Sequence, residues 1–341
     1  MIVSHENPVY VIDEEKYCRF DQRNTVFGRI YSDSESLFYN KDMYDNVESI
    51  VEKNQKGYGR LDFARAFGSW AVYNHFHEAF AWNWKDGMNA TTGIPKLGKY
   101  KVDDPIKMSE YIKETAVLFG AIKAGIAPLN HKWIYSYDYD GKVINIPEKY
   151  RYSIVFLIPM DMQAIKNSPD YTAGLATGRG YSMMAFVGSC LAETIRNLGY
   201  DAISMGNDTA LSIPLAIDAG LGELGRNGLL ITPEYGSCVR IGKIFTNLPL
   251  AEDKPIQFGM QKMCMSCMKC AETCEVEAIS KEREMTFETV TVSNNKHIKR
   301  WPVNHDKCYS FWVENGGECS TCIASCPMFE RGLLKSRKSS E

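Results

Sequence analysis

Apolar positions recur every three or four residues in several long stretches of the chain. This spacing places the apolar side chains on one face of an α-helix. Helices are accordingly predicted over 61–75, 106–126, 182–198 and 209–219, and a shorter one over 161–167. Residues 1–50 are more polar and have no clean period, and 20–29 is expected to be an extended segment that wraps over a larger body.

Short β-branched and apolar runs lie between the later helices. The run at 152–160 is typical of a buried central strand, because it is apolar throughout and too short for a helix. Further strands are predicted over 132–137, 200–204, 229–232 and 239–246. The alternation of strands and helices between 150 and 246 predicts a layer of helices on a sheet.

Aromatic residues follow the first predicted helix closely, at Trp70, Tyr73, Phe76, Phe80, Trp82 and Trp84. Core packing is the preferred interpretation, and the alternative is that a few of them line an apolar pocket. His75 and His77 are separated by one residue, so on a helix they diverge. Without a third ligand nearby they are interpreted as structural or surface residues rather than as a metal site.

Composition limits the classes of function that remain. The chain has 341 residues, 45% of them hydrophobic, and a formal net charge of −3, which is typical of a soluble globular protein of one or two domains. The chain lacks the excess of basic residues that would favour nucleic-acid binding, and it has no apolar run long enough to predict a membrane span. The N-terminal residues resemble no export signal, so a cytoplasmic location is expected for the chain as written.

Eight of the eleven cysteines form two spaced runs. The first run, C-x2-C-x2-C-x3-C, begins at Cys264, and the second, C-x10-C-x2-C-x3-C-P, begins at Cys308. This pattern is typical of a two-cluster ferredoxin, in which the fourth cysteine of each run binds the other cluster. The predicted ligands of the first [4Fe–4S] cluster are therefore Cys264, Cys267, Cys270 and Cys326. Those of the second are Cys274, Cys308, Cys319 and Cys322.

Structural zinc and disulfides are the alternatives for these cysteines. Zinc sites use four ligands, usually in paired C-x2-C units, and disulfides need an oxidising compartment. Eight cysteines in two interlocked runs of four fit neither a structural zinc site nor a set of disulfides well. Glu275 follows the first run where proline is usual, which is expected to affect the potential of the second cluster rather than its ligation. Cys18, Cys190 and Cys238 are interpreted as free, partly buried thiols.

Several segments, taken with the cysteine runs, resemble the catalytic subunit of the corrinoid-dependent reductive dehalogenases. They are Phe-Asp-Gln-Arg-Asn-Thr at 20–25, Ala-Thr-Gly-Arg-Gly-Tyr-Ser-Met-Met-Ala at 176–185, Gly-Asn-Asp-Thr-Ala-Leu-Ser at 206–212, the glycine-rich 220–236, and Val239-Arg240. The resemblance extends from about residue 8 to residue 330. It implies an α+β fold, with an N-terminal extension and a nitroreductase-like corrinoid-binding core over 1–250. A ferredoxin-like module with two [4Fe–4S] clusters and a C-terminal tail is implied over 251–341.

The resemblance also implies roles for individual residues. The corrinoid (cobalamin) is held base-off, without a histidine ligand to cobalt, and electrons pass from an outer cluster through an inner one to the metal. Tyr181 is the implied proton donor and Arg240 the basic residue beside it. A neighbouring guanidinium stabilises the phenolate that remains after proton transfer. Thr177, Asn207 and Trp312 are the implied substrate-pocket residues.

Two loops are expected to contact the corrinoid. Gly206, Asn207 and Thr209 lie in one, and Gly222, Gly225 and Asn227 lie in the other. Their backbone N–H groups and polar side chains could hold the amides and the phosphate-bearing tail, although both loops could be simple turns. The second loop lacks G-x-G-x-x-G after a strand, so it does not support a nucleotide site.

The implied reaction replaces a carbon–halogen bond by carbon–hydrogen, with two electrons and one proton. The implied partners are a halogenated organic molecule and an electron donor, which is ferredoxin, flavodoxin, or a membrane anchor with quinol. No nucleic acid is expected, and the oligomeric state is open, with a homodimer as one option. The alternatives are a tRNA-modifying enzyme of the epoxyqueuosine reductase type and a non-catalytic electron carrier. The alternative location is that of a mature, exported, membrane-associated enzyme.

Overall fold

The centre of the protein is a four-stranded antiparallel sheet, seen in a computed structural model that describes residues 2–76 and 98–329. The strands are β1 (Val3–Ser4), β2 (Lys123–Pro128), β3 (Tyr152–Pro159), β4 (Ala202–Met205), β5 (Glu223–Leu224), β6 (Leu230–Ile231), β7 (Val239–Thr246) and β8 (Ile256–Gln257). The first helices are α1 (Val26–Ser32), α2 (Val47–Glu52), α3 (Arg60–Gly68), α4 (Ala71–Phe76), α5 (Pro105–Leu118) and α6 (Met162–Ile165). They are followed by α7 (Tyr171–Asn197), α8 (Ser212–Asp218), α9 (Met260–Ser266), α10 (Lys269–Glu272), α11 (His305–Asn315) and α12 (Thr321–Ala324).

Strands β3 and β7 form the middle of the sheet, whose order is β2-β3-β7-β4. The apolar run of β3 is buried over six consecutive residues, which confirms the predicted central strand. Successive side chains point to opposite faces, so Phe156 packs towards α7 while Leu157 packs towards α8. On β7, Arg240 pairs with Ile158 and lies on the α7 face, whereas Lys243 pairs with Val155 and lies on the other.

Helix α7 crosses the sheet and is longer than its apolar pattern predicts, because it begins at Tyr171 rather than at 182. Glycines in its first half interrupt the apolar stripe in the sequence, yet they are needed for close packing. A Cβ on Gly178 would lie 2.1 Å from Ser69 Oγ, and one on Gly180 would lie 3.0 Å from the Arg240 side chain. Tyr181 therefore lies within the helix and not at its start.

Three other predicted elements differ in the structure. Helix α5 ends at Leu118, and the segment expected to continue it is strand β2, since Gly120 turns the chain at a φ of +118°. The strand predicted over 132–137 is wrong, because its first two residues belong to a 3₁₀ turn at His131–Trp133, and Ile134 and Tyr137 form isolated bridges rather than a strand. The expected extended segment 20–29 holds a second 3₁₀ turn at Gln22–Asn24 and the start of α1.

The helix predicted over 61–75 is divided into α3 and α4. Phe80, Trp82, Trp84 and His77 lie outside the described residues, and so do the side chains of His75 and Phe76.

The cysteine-rich part packs directly onto the rest of the chain. One hydrophobic cluster joins Met160, Ile165 and Ala176 to Met260 and Trp301 from beyond residue 250. The N-terminal β1 pairs with β8, so the chain also returns to this part at its start. The domain boundary at 250/251 stays a prediction. Among the described helices, none has the length and apolar character needed to cross a bilayer.

Candidate active site and cysteine cavity

Tyr181 is enclosed by aromatic rings on one side and by a cation on the other. Trp70, from the turn between α3 and α4, stacks on its ring at 4.8 Å between centroids, with 23° between the planes. Tyr73 of α4 meets the ring edge-on at 5.2 Å. The guanidinium carbon of Arg240 lies 4.7 Å from the ring centroid. Packing on three sides fixes the ring and leaves the phenolic oxygen as its reactive end.

Arg240 is oriented by a residue one helical turn before the tyrosine. Its Nη2 donates to Thr177 Oγ1 at 3.2 Å, and Thr177 is buried four residues before Tyr181 on α7. The buried Nε atom of Arg240 has no hydrogen-bond partner within the described residues. Arg240 also lies near the Glu318 carboxyl group. Burial raises the pKa of Glu318, and the positive charge of Arg240 acts in the opposite direction. The guanidinium thus lies between the tyrosine and the cysteine-rich part.

Asn207 contacts the phenol directly. It follows β4 in an exposed position, and its Nδ2 atom donates to the Tyr181 hydroxyl oxygen at 2.7 Å. Among the predicted site residues, the structure therefore brings together Tyr181, Arg240, Thr177 and Asn207. A helix, a central strand and one loop each contribute to the group.

The loop that carries Asn207 is held by a polar network underneath it. The Asp208 carboxylate accepts from the Gly206 N–H at 2.9 Å and from the Thr209 hydroxyl at 2.6 Å. Thr209 is fully buried and has a φ of +67°, a left-handed conformation that is strained for a β-branched residue. This strain is maintained by the surrounding contacts and gives the loop a single defined shape.

Lys243 completes this network and was missed by the sequence reasoning. Its Nζ donates to the Gly206 carbonyl and, at 3.1 Å, to the Ser212 hydroxyl. The side chain is fully buried, and burial lowers the pKa of Lys243 to about 8, against the opposing effect of Asp208. A single lysine within the apolar run 239–246 was the available signal, because a cation in a central strand needs internal acceptors.

Tyr139 lies near the phenol side of the site. It is 48% exposed, and desolvation raises the pKa of its hydroxyl, with the charges of Asp208 and Tyr181 adding to this effect.

Trp312 lies elsewhere. It is on α11, where its ring contacts Phe27 at 6.0 Å and Tyr309 at 6.2 Å. Trp312 and Tyr309 belong to a small hydrophobic cluster with Ile30 and Phe38. Within the part of the chain that the structure describes, Trp312 is not among the side chains that contact Tyr181, and its role in a substrate pocket stays a prediction.

Four cysteines from both runs surround one cavity. Its lining includes Cys264, Cys267, Cys270 and Cys326, the predicted ligands of the first cluster. Burial raises the pKa of Cys270 to about 12, and the negative charges of the other three add to this effect. Thiolates held this close repel one another, so a bound cationic metal centre would stabilise them.

The remaining cysteines of the two runs form a second group. Burial raises the pKa of Cys308 to about 12, with Cys319 and Cys274 as its charged neighbours. The pKa of Cys322 is raised well above its ordinary value by burial and then by the charges of Cys308 and Cys319. This grouping matches the crossed ligand sets, which stay a prediction. In the described ranges no three His, Cys, Asp or Glu side chains form a group that could hold a single metal ion.

The second cysteine group is attached to the start of α7. The Ser320 N–H donates to Ser168 Oγ at 2.7 Å, and the Ser168 hydroxyl lies 3.1 Å from Thr321 Oγ1. Ser168 is two residues before the α7 N-cap, Asp170. The helix that carries Tyr181 is therefore anchored, through Ser168 just before it, to the segment that holds Cys319 and Cys322.

The glycine-rich loop joins β5 and β6 and lies against the first cysteine cavity. Asn227 lines that cavity. Cβ atoms on Gly222 and Gly225 would lie 2.3 Å and 2.7 Å from atoms of Ile231, so both glycines are required for the tight hairpin. Gly206 in the other loop is buried against Met184. Corrinoid contacts by these residues stay a prediction.

The curated relatives and a solved structure that resemble this chain are reductive dehalogenases. No family model matches the chain. It is 32% identical over 80% of its length to the tetrachloroethene reductive dehalogenase of Desulfitobacterium hafniense, and 32% identical over 89% to that of Dehalobacter restrictus. It covers 63% and 68% of these two relatives.

A solved structure shares the fold. It is a reductive dehalogenase whose structure is described as suggesting a mechanism for B12-dependent dehalogenation. It matches with a TM-score of 0.76 at 22% identity, over 98% of this chain and 46% of that one. The two proteins therefore have the same mixed α+β architecture, and the present chain spans less than half of the solved one.

Proposed function

The chain belongs to the reductive dehalogenases, and on that basis we propose that it replaces a carbon–halogen bond by a carbon–hydrogen bond in a halogenated organic compound. The reaction consumes two electrons and one proton and releases halide. The observation that carries the proposal is the geometry at Tyr181, a phenol that accepts a hydrogen bond from Asn207 beneath the guanidinium of Arg240. That arrangement suits a proton donor whose anion must be stabilised.

In this proposal Tyr181 gives its hydroxyl proton to the substrate carbon. The Asn207 N–H remains on the phenolate oxygen, and Arg240 supplies a permanent positive charge beside the ring. Thr177 holds the guanidinium in position through its hydroxyl oxygen. The rings of Trp70 and Tyr73 cover the flank of Tyr181 and keep water away from it. Apolar walls of this kind also suit a halogenated organic ligand.

The cofactors proposed are a base-off corrinoid and two [4Fe–4S] clusters. When bound, the corrinoid would supply a strongly reducing, nucleophilic cobalt centre, and the clusters would carry electrons to it. The four-cysteine cavity suits a cluster in its donor set. In the same proposal the core is nitroreductase-like and the cysteine-rich part is ferredoxin-like. The electron donor would be a ferredoxin, a flavodoxin or a membrane anchor with quinol.

The test is anaerobic purification with cobalamin supplied, followed by metal analysis and halide release. Chlorinated ethenes are the first substrates to test, because the relatives at 32% identity are named for tetrachloroethene. About eight irons and about one cobalt per chain are expected, with halide release only when the corrinoid is present.

Two results would contradict the proposal. Conversion of epoxyqueuosine in tRNA without halide release from any organohalide would favour the tRNA-modifying alternative. Full iron content without cobalt, even after reconstitution with cobalamin, would favour an electron carrier.

A further inference from the structure

A buried cation lies beside the first cysteine cavity. Arg226, in the turn between β5 and β6, is 1% exposed and lines the cavity with Cys264, Cys267, Cys270 and Cys326. Its guanidinium carbon also lies 4.8 Å from the centroid of the Trp301 ring. The cation is thus enclosed by protein on one side and by the sulfur-lined cavity on another.

All the hydrogen bonds of this guanidinium go to backbone carbonyls. Nε donates to Cys264 and Cys267 at 3.0 and 3.2 Å, and Nη2 donates to Cys264 at 2.6 Å. Nη1 donates to Ser280 and Glu282 at 2.7 and 2.6 Å. The charge therefore has no carboxylate partner among the described residues.

An unpaired buried charge is costly, because water is lost and no anion compensates. Carbonyl dipoles recover only part of that cost. Among the residues that line the cavity with Arg226, the groups that can carry a negative charge are the four cysteine thiolates, together with any metal centre that they hold.

We propose that Arg226 raises the reduction potential of the first iron–sulfur cluster by placing a permanent positive charge beside it. The inference rests on the proposed function in one respect, that the four cysteines hold a cluster. When one electron from an external donor enters, the cluster and its thiolates gain one negative charge. A neighbouring cation stabilises this reduced form more than the oxidised form, and the low-dielectric surroundings strengthen the effect.

The experiment compares Arg226→Gln and Arg226→Lys with the wild-type holoprotein in EPR-monitored redox titrations under anaerobic conditions. Glutamine removes the charge and keeps a donor, whereas lysine keeps the charge and loses the planar fork. The matched control is Arg283→Gln, which removes an exposed arginine from the same part of the chain. Solvent screens an exposed charge, so this control should match the wild type.

For Arg226→Gln, the equilibrium constant for reduction of the first cluster should fall at least about tenfold, a shift of about 59 mV for a one-electron couple. The second cluster should keep its potential. Arg226→Lys should stay within about threefold of the wild type at both clusters. If only the glutamine variant fails to assemble the cluster, an unchanged potential in the lysine variant still supports the role of the charge.

Four results would overturn the inference. They are an unchanged first-cluster potential in Arg226→Gln, an equal shift at both clusters, a lysine variant that shifts as far as the glutamine variant, and loss of the first cluster from both variants. The last result would limit Arg226 to building the site. None of these measurements uses an organohalide, so failure of dehalogenation in the wild type would refute the proposed reaction and leave this inference standing.

Discussion

Asn207 donates a hydrogen bond to the hydroxyl oxygen of Tyr181 at 2.7 Å. Because the amide is the donor, the phenolic hydrogen is not used in this contact and remains available for transfer. The same N–H remains in place once that hydrogen has left. One contact therefore orients the proposed acid before transfer and stabilises its anion afterwards.

Tyr181→Phe should remove most turnover. The ring packing against Trp70 and Tyr73 survives in phenylalanine, but the transferable proton is lost. General-acid catalysis typically contributes about 10²–10⁴-fold, so kcat for halide release should fall by at least about 100-fold. Cobalt and iron content should equal those of the wild type. Undiminished halide release by this variant would exclude Tyr181 as the proton donor.

Asn207→Ala should reduce kcat by about tenfold, since a hydrogen bond to a developing anion is worth about 1.5–3 kcal/mol and about 1.4 kcal/mol corresponds to tenfold. The Michaelis constant should change less than kcat. Asn197→Ala is the matched control, because the amide of this exposed asparagine bonds only within its own turn of α7. Equal kcat values in the two variants would show that the contact with Tyr181 is not used in the reaction.

Lys243→Met should remove a pH dependence of stability. Burial lowers the pKa of Lys243 to about 8 in the folded protein, whereas that of an unfolded lysine is about 10.4. Between these values the unfolded chain binds more protons, so this residue makes the free energy of unfolding rise with pH. Below about pH 8 its unfavourable contribution is constant.

The measurement is Tm for the wild type and Lys243→Met at intervals across that window. The wild type should gain stability relative to the variant as the pH rises through it. Parallel curves for the two proteins would mean that Lys243 does not titrate there.

Cys326→Ala should damage the first cluster, although Cys326 lies in the second cysteine run. The structural basis is the shared cavity with Cys264, Cys267 and Cys270. The EPR signal of the first cluster should disappear or change while that of the second remains. Cys190→Ala, on α7 away from both groups, should leave both signals as in the wild type. An intact first-cluster signal in Cys326→Ala would refute the crossed ligand sets.

The sequence predicts the central strands well because their environment is uniform. Strand β3 is apolar throughout and buried throughout, so its composition alone identifies it. The start of α7 cannot be found in this way, because its glycines are needed for close packing against Ser69 and Arg240, which are distant in sequence. The sequence predicts a helix across strand β2, because the apolar period continues past Gly120, where the backbone turns.

The site shows the same division between local and long-range information. The motifs that suggested Tyr181, Arg240, Thr177 and Asn207 lie in separate segments, and only the fold brings these four side chains together. Lys243 was missed although it interrupts an apolar run, and Arg226 was not found because nothing in its glycine-rich segment indicates that this cation is buried. Their importance follows from which carbonyls surround them, and that depends on tertiary packing.

Helix α7 holds the second cysteine group and Tyr181 at a fixed distance from each other. Its start is anchored through Ser168 to the second cysteine group, and Tyr181 lies ten residues beyond Tyr171, about 15 Å along the axis. The distance from the second cysteine group to Tyr181 is therefore fixed by one continuous helix. Inserting one residue before Tyr181 would turn the phenol by about 100° around the axis and advance it by about 1.5 Å.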